Sequence, residues 1–370
     1  MKHALDGVSV LEVGVMTPGK FCGFLMCGWG AQSLRVERPG QEGDLSTEDL
    51  LLNRGKRSIA LNLRDPRGQD LLLRLCAKAD VLIESYRPGV AARLGIGYDA
   101  VRAVNDGIVY CSLSGFGQNG PDKAQPAYDL LFQARSGLTH LMGAETPVSP
   151  RTWLADAVSG LMAASTISAA LRQKAVTGSG THIDLAMLDS VFALLAVSHG
   201  TAGARSAGAE VEAWARRPAY DIYEAGDGRF IALAAAREAS CKALFAELGR
   251  PDLGETALLP GAAGEAAGSF LRETFRTKPA NEWVETLSAL DIEISRVNRP
   301  EEAYDDAQLL ARGMLRDTAH PAVGALRQIG VPCGDLAAPA PAIGQDTDAV
   351  LRALGCDDAA ISELRGDGVV

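Results

Sequence analysis

The sequence predicts an α/β fold whose first half is built on parallel strands. Three observations carry that expectation. Short apolar, β-branched runs recur through the first 190 residues, segments of helical length separate them, and a hairpin signal appears only beyond residue 220. Strands parted by helices imply parallel βαβ units, because a parallel neighbour needs a long crossover.

The elements follow in order. Val8–Gly14 (VSVLEVG) reads as a buried strand, Gly19–Gly30 as a short helix and Ser33–Glu37 as a second strand. Asp65-Pro66 opens a helix with proline at its first position, where a missing N–H is harmless, and Leu71, Leu72, Leu75 and Cys76 give it an apolar stripe. Val81–Ile83 and Ile108–Leu113 are the next strands, followed by helices over Leu130–Leu141 and Ala157–Gln173. Thr181–Leu185 reads as a strand and Ala186–Ser198 as a helix. Gly200–Gly208 is small and flexible and reads as a linker. Tyr220–Ala234 carries the hairpin signal, two apolar runs around Gly226, Asp227 and Gly228. Helical patterns continue to about residue 316; a Pro/Ala-rich stretch, Pro332–Pro341, precedes a last helix near Asp346–Leu354.

Composition removes several function classes. A chain of 370 residues has room for two to three domains and needs neither disulfide nor metal to build its core. Against 36 Lys and Arg stand 46 Asp and Glu, a net charge of −10, which argues against general nucleic-acid binding and against adhesion to an anionic membrane. No run of 18 apolar residues occurs, and Met1–Asp6 lacks the apolar core of a signal peptide. The seven cysteines are scattered without a CxxC, and the five histidines show no ligand spacing, so the chain reads as a reduced cytosolic protein without a metal site. Between Leu51 and Arg74 lie Arg54, Lys56, Arg57, Arg64, Arg67 and Arg74 against only Asp65 and Asp70. One basic segment in an acidic chain suggests either a small anionic ligand or a solvated helix face.

Several segments point one way together. They are Arg35–Gly40 (RVERPG), Asn53–Asn62 (NRGKRSIALN), Ala79–Gly89 (ADVLIESYRPG), Ser114–Gly120 (SGFGQNG) with Pro121, Tyr128-Asp129, Thr177–Ser190 (TGSGTHIDLAMLDS), Ala311–Met314 (ARGM) and His320-Pro321. In this order, across nearly the whole chain, they resemble the family III CoA-transferases, the CaiB/BaiF family, which also includes α-methylacyl-CoA racemase. The resemblance implies a Rossmann-like large domain made from both chain ends, with residues 1–200 and 321–370 contributing. It further implies a linker over 201–219, a smaller α+β domain over 220–320, and two subunits interlocked as a homodimer. Gly14–Gly19 (GVMTPG) is not a dinucleotide fingerprint, so a dehydrogenase has no support beyond the α/β pattern.

The resemblance also implies the chemistry: CoA moves between an acyl-CoA and a carboxylic acid, with CoA as substrate and no resident cofactor. The family nucleophile is an aspartate that matches Asp156 here. The residue itself allows a second reading, an N-cap for the helix over Ala157–Gln173, and the two coexist because a helix N-terminus favours an ionised carboxylate. Tyr128 and Asp129 match an aromatic and an acid near the reacting carbonyl; the alternative is that Tyr128 packs and Asp129 caps the helix at Leu130. By register, Arg38, Arg64 and Arg93 would meet CoA phosphates or adenine, and Ser85 and Tyr86 would line the nucleotide; arginine's planar fork suits phosphate oxygens. Each arginine could instead be a surface charge. Racemases of the family carry Gly-His-Asp where this chain has Ala127-Tyr128-Asp129, and a glutamate where the simplest register places Arg237. Formyl-CoA transferase carries a glycine run that is missing here, and a glutamine at the position of Thr17. The alternatives are therefore a 2-methylacyl-CoA racemase and a catalytically silent acyl-CoA-binding paralogue. His182 and His140 are expected to be structural.

Overall fold

The first apolar run forms β1 (Ser9–Val13), at the centre of a six-stranded parallel sheet in a computed structural model that describes residues 3–40, 45–143, 146–199, 217–336 and 338–370. After β1 come α1 (Thr17–Gly28), β2 (Gln32–Glu37), α2 (Thr47–Leu52), β3 (Arg57–Ala60), α3 (Pro66–Cys76) and β4 (Val81–Glu84). Next are α4 (Val90–Arg93), α5 (Tyr98–Val104), β5 (Val109–Ser114), α6 (Asp129–Arg135), α7 (Leu138–Met142) and α8 (Leu154–Thr177). β6 (Thr181–Ala186), α9 (Met187–Ala193) and α10 (Leu195–His199) complete this stretch. The strand order is β3-β2-β1-β4-β5-β6, and every pairing is parallel. The order reverses between β1 and β4, where an open α/β sheet offers its ligand crevice at the strands' carboxyl ends.

Because side chains alternate along a strand, neighbouring residues feed two cores. Val10, Ile83, Val109 and Cys111 face one side with Leu25 of α1 and Ala163 and Ile167 of α8. Leu11, Val13, Leu82 and Tyr110 face the other, with Leu72 of α3 and Val101 of α5. α8 packs along α1, and Gly160 permits the close approach: a Cβ there would lie 2.7 Å from the Pro18 carbonyl. By length and composition α8 could cross a membrane, with a mean hydropathy of 1.4 over its apolar window, but 44% of that window is buried inside the protein.

Two compact units emerge: Met1–Leu195 with Ala311–Val370, and Ala196–Leu310. The second holds the expected hairpin, β7 (Tyr220–Glu224) and β8 (Phe230–Ala234), joined by β9 (Ile294–Arg296) into an antiparallel sheet. Its helices are α11 (Glu238–Glu247), α12 (Glu265–Phe275), α13 (Ala280–Ser288), α14 (Pro300–Ala303) and α15 (Ala307–Ala311). Phe245, Leu271, Phe275 and Trp283 are in its core, and the Trp283 indole donates to the Phe275 carbonyl at 2.9 Å. The chain then adds the hairpin β10 (Leu315–His320) and β11 (Gly324–Ile329), α16 (Thr347–Ala353) and α17 (Asp358–Gly366) to the first unit. The free edge of β3 is covered by that return: the Ser58 amide donates to the Asp346 carboxylate at 2.9 Å and the Ala60 amide to the Thr347 hydroxyl at 3.0 Å.

Some expectations change. The helix expected over Leu130–Leu141 divides into α6 and α7 at Gly137, whose φ of +90° ends the first helix. The helix expected over Ala186–Ser198 divides at Leu194. The linker read at Gly200–Gly208 lies outside the described residues. The basic segment is largely consumed inside the fold. Lys56 makes a fully buried ion pair with Glu12 at 2.8 Å, and Arg54 packs over Phe24 while donating to the carbonyls of Leu51 and Ile329. Arg57, Arg67 and Arg74 pair with Asp346, with Asp65 and Asp367, and with Asp70. Among the described residues, only the Arg64 side chain of these six has neither an ion pair nor a hydrogen bond.

Candidate active site

A cavity of about 540 Å³ opens at the carboxyl ends of β1, β4 and β5, wholly within the first unit. The loop after β1 supplies Met16, Thr17 and Pro18, and the loop after β4 supplies Ser85, Tyr86, Arg87 and Pro88. Leu113, Phe116, Phe132, Trp153 and Met187 make much of its wall apolar. Asp129 and Asp156 bring two carboxylates into it, with Tyr128 beside them.

Asp156 is not an N-cap. α8 begins at Leu154, its N-cap Trp153 offers no side-chain acceptor, and Asp156 lies in the first turn. The capping acceptor comes from another helix: Asp129, at the start of α6, accepts the Asp156 backbone N–H at 3.1 Å. The other Asp129 oxygen accepts from the side-chain amide of Gln133, one turn on in α6. So Asp129 caps α8 rather than its own helix, which begins without a side-chain cap. Burial first, then the charges of Asp129 and Glu48, push the Asp156 carboxyl up to about 7. Glu48 is held by the Thr17 hydroxyl at 3.2 Å and by Lys20 at 3.0 Å, and Lys20 also pairs with Asp49 at 2.8 Å.

Tyr86 lies across Gly14, whose φ of +58° and missing side chain make room; a Cβ there would fall 2.2 Å from the phenol ring. The buried Glu84 carboxylate accepts the Tyr86 N–H at 2.8 Å. Burial raises the Tyr86 hydroxyl, as does Glu84, and the Arg38 charge opposes them, which places Arg38 within electrostatic reach.

The cavity therefore gathers Asp156, Asp129, Tyr128, Ser85 and Tyr86. Arg38, Arg64 and Arg93 are exposed and do not line it. Two cations that the sequence reading passed over do line it, Arg87 and Lys123, and neither has an ion pair among the described residues. Arg87 sits inside the SYRPG motif, so its position was visible although its role was not. His182 lies off the cavity, within hydrogen-bonding distance of Ser112 at 3.0 Å and stacked on Tyr98 with centroids 4.7 Å apart. Cys22, Cys27, Cys76 and Cys111 are buried, and burial pushes the thiols of Cys27, Cys76 and Cys111 up to about 12, far from a reactive thiolate. Among the described residues no group of three or more His, Cys, Asp or Glu could hold a metal ion.

The model of CoA-transferase family III matches residues 5–347. Human succinyl-CoA:glutarate CoA-transferase is 31% identical, covering 99% of this chain and 90% of its own. Human α-methylacyl-CoA racemase is 30% identical, over 99% and 97%. The crystal structure of a CaiB/BaiF family protein from Brucella suis matches with a TM-score of 0.81 and 26% identity, over 96% of this chain and all of that one. With a family match along nearly its whole length, the chain belongs to CoA-transferase family III and is an enzyme that transfers CoA.

Proposed function

We propose that the protein moves CoA from an acyl-CoA thioester to a carboxylic acid through a covalent intermediate on Asp156. The observation that carries this is the Asp156 carboxylate, half-buried in a largely apolar cavity at the first turn of α8. The ionised oxygen attacks the thioester carbonyl, the C–S bond breaks, and CoA thiolate leaves a mixed anhydride on Asp156. The thiolate then attacks the aspartyl carbonyl, releases the donor acid and leaves an aspartyl-CoA thioester. The acceptor carboxylate displaces that thiolate, which finally takes the new acyl group and frees Asp156. Each intermediate keeps its activation, so no step is strongly uphill.

CoA would be held by Ser85 and Tyr86 at the cavity wall, with Arg38, Arg64 and Arg93 serving its phosphates at the surface. Arg87 and Lys123 extend that set, because cations at a cavity with no ion pair among the described residues attract anionic groups. The domain plan proposed is a large unit from both chain ends and a smaller central one, paired as an interlocked homodimer. Exposed apolar side chains on α8 and α9, within the first unit, support a protein partner surface, with Leu161 47% and Phe192 62% exposed.

Racemisation needs two acid–base groups on opposite sides of the substrate's α-carbon. Among the described residues no histidine lines the cavity, and both Asp129 oxygens already accept hydrogen bonds, which favours transfer. The test is incubation with acyl-CoA, trapping with hydroxylamine or borohydride, and peptide mass mapping. The adduct is expected on Asp156; Asp156→Ala should lose exchange by at least about a thousandfold while CoA affinity stays nearly unchanged. Solvent deuterium entering the α-carbon without any acceptor acid would instead establish the racemase, and CoA binding with neither reaction the silent paralogue.

A further inference from the structure

We infer that Gln133 is a positioning residue for the nucleophile. This rests on the Asp156 assignment and extends it to a side chain that never enters the cavity lining.

Gln133 lies one turn after Asp129 in α6 and is fully buried. Its amide nitrogen donates to the Asp129 carboxylate and to the Thr152 carbonyl at 3.3 Å. Thr152 directly precedes Trp153, the N-cap of α8. The Asp129 carboxylate passes the constraint onward by accepting the Asp156 N–H. One amide thus holds the start of α8 at two points, and the Asp156 side chain projects from that first turn.

The cost of this arrangement is visible. The Gln133 oxygen is buried and has no hydrogen-bond partner among the described residues. A buried unpaired acceptor is destabilising, and an apolar side chain of the same length would avoid it. A residue kept only for packing has no reason to carry that amide. The carboxylate it orients does have a reason: without a donor on its second oxygen, Asp129 is free to rotate away from the Asp156 N–H. The nucleophile would then sample directions unsuited to attack, where small misplacements are costly.

The experiment compares wild type, Gln133→Met and Gln133→Glu by steady-state kinetics across pH and by thermal melting, with Asp156→Ala run alongside for adduct mapping. Gln133→Met relieves the unpaired Gln133 oxygen but takes the donor from the Asp129 oxygen and the Thr152 carbonyl, so it is expected to melt a few degrees below wild type and to stay fully folded at the assay temperature. Its kcat should fall about ten- to a hundredfold with KM for acyl-CoA within threefold. Gln133→Glu restores a donor only while its carboxyl is protonated. Its kcat should therefore rise and then fall with pH, where wild type rises to a plateau.

Wild-type kcat in both variants would overturn the inference, and so would parallel loss of kcat and folded protein in both. An adduct mapped away from Asp156 in wild type would overturn the nucleophile assignment instead, a result read from the peptide and not from the Gln133 kinetics.

Discussion

As the proposed nucleophile, Asp156 would have to shed its proton before attack, and burial beside Asp129 and Glu48 holds that proton up to about 7. Turnover at subsaturating acyl-CoA should therefore rise about tenfold per pH unit below that value and flatten near pH 8. Removing a neighbouring anion makes ionisation easier, so Glu48→Gln should move the midpoint down, by about half a unit. A pH–rate profile of both proteins checks this, and an unmoved midpoint would remove Glu48 from the site. The sequence alone pointed to Asp156 through its place among the motifs. It did not reveal that Asp129 supplies the missing cap, because a contact between residues 27 positions apart depends on how α6 meets α8. One signal was there to be used: Asp129 and Gln133 stand four apart, a spacing that brings side chains together on any helix.

Among the elements, the succession of strands and helices in the first unit was legible because each apolar run was long and bounded. β3 was not, since Arg57-Ser58-Ile59-Ala60 is short and begins with a charge. It pairs on one side with β2 and is covered on the other by Asp346 and Thr347, almost three hundred residues away. The Glu12–Lys56 ion pair that fastens β1 to the start of β3 was equally hidden; read in sequence, Lys56 looked like one more member of a basic patch. Ser33 donates to Glu12 at 2.6 Å and Lys56 to the Lys20 carbonyl at 2.9 Å, so the pair is well satisfied. Gly23 leaves it space, since a Cβ there would lie 1.9 Å from the Glu12 oxygen. Lys56→Met alone strands a buried carboxylate and should cost about 3–5 kcal/mol, whereas Glu12→Gln with Lys56→Met should recover most of that loss. Urea midpoints of the two variants and wild type decide it; equal losses in single and double variants would mean that packing, not charge, dominates.

At the level of the whole molecule, the proposed homodimer should appear as twice the 38.8 kDa chain mass in sedimentation equilibrium. Replacing Leu161 and Phe192 together by glutamate should shift it towards monomer, because desolvating two charges opposes burial of that face. An unchanged mass would place the contact elsewhere. The covered edge of β3 has a further consequence for biogenesis. The residues that shield it leave the ribosome only after all of the second unit has been made. Through that interval a nascent chain carries bare strand amides able to recruit a stranger. Any expression fragment that stops short of Asp346 inherits the same adhesive rim permanently.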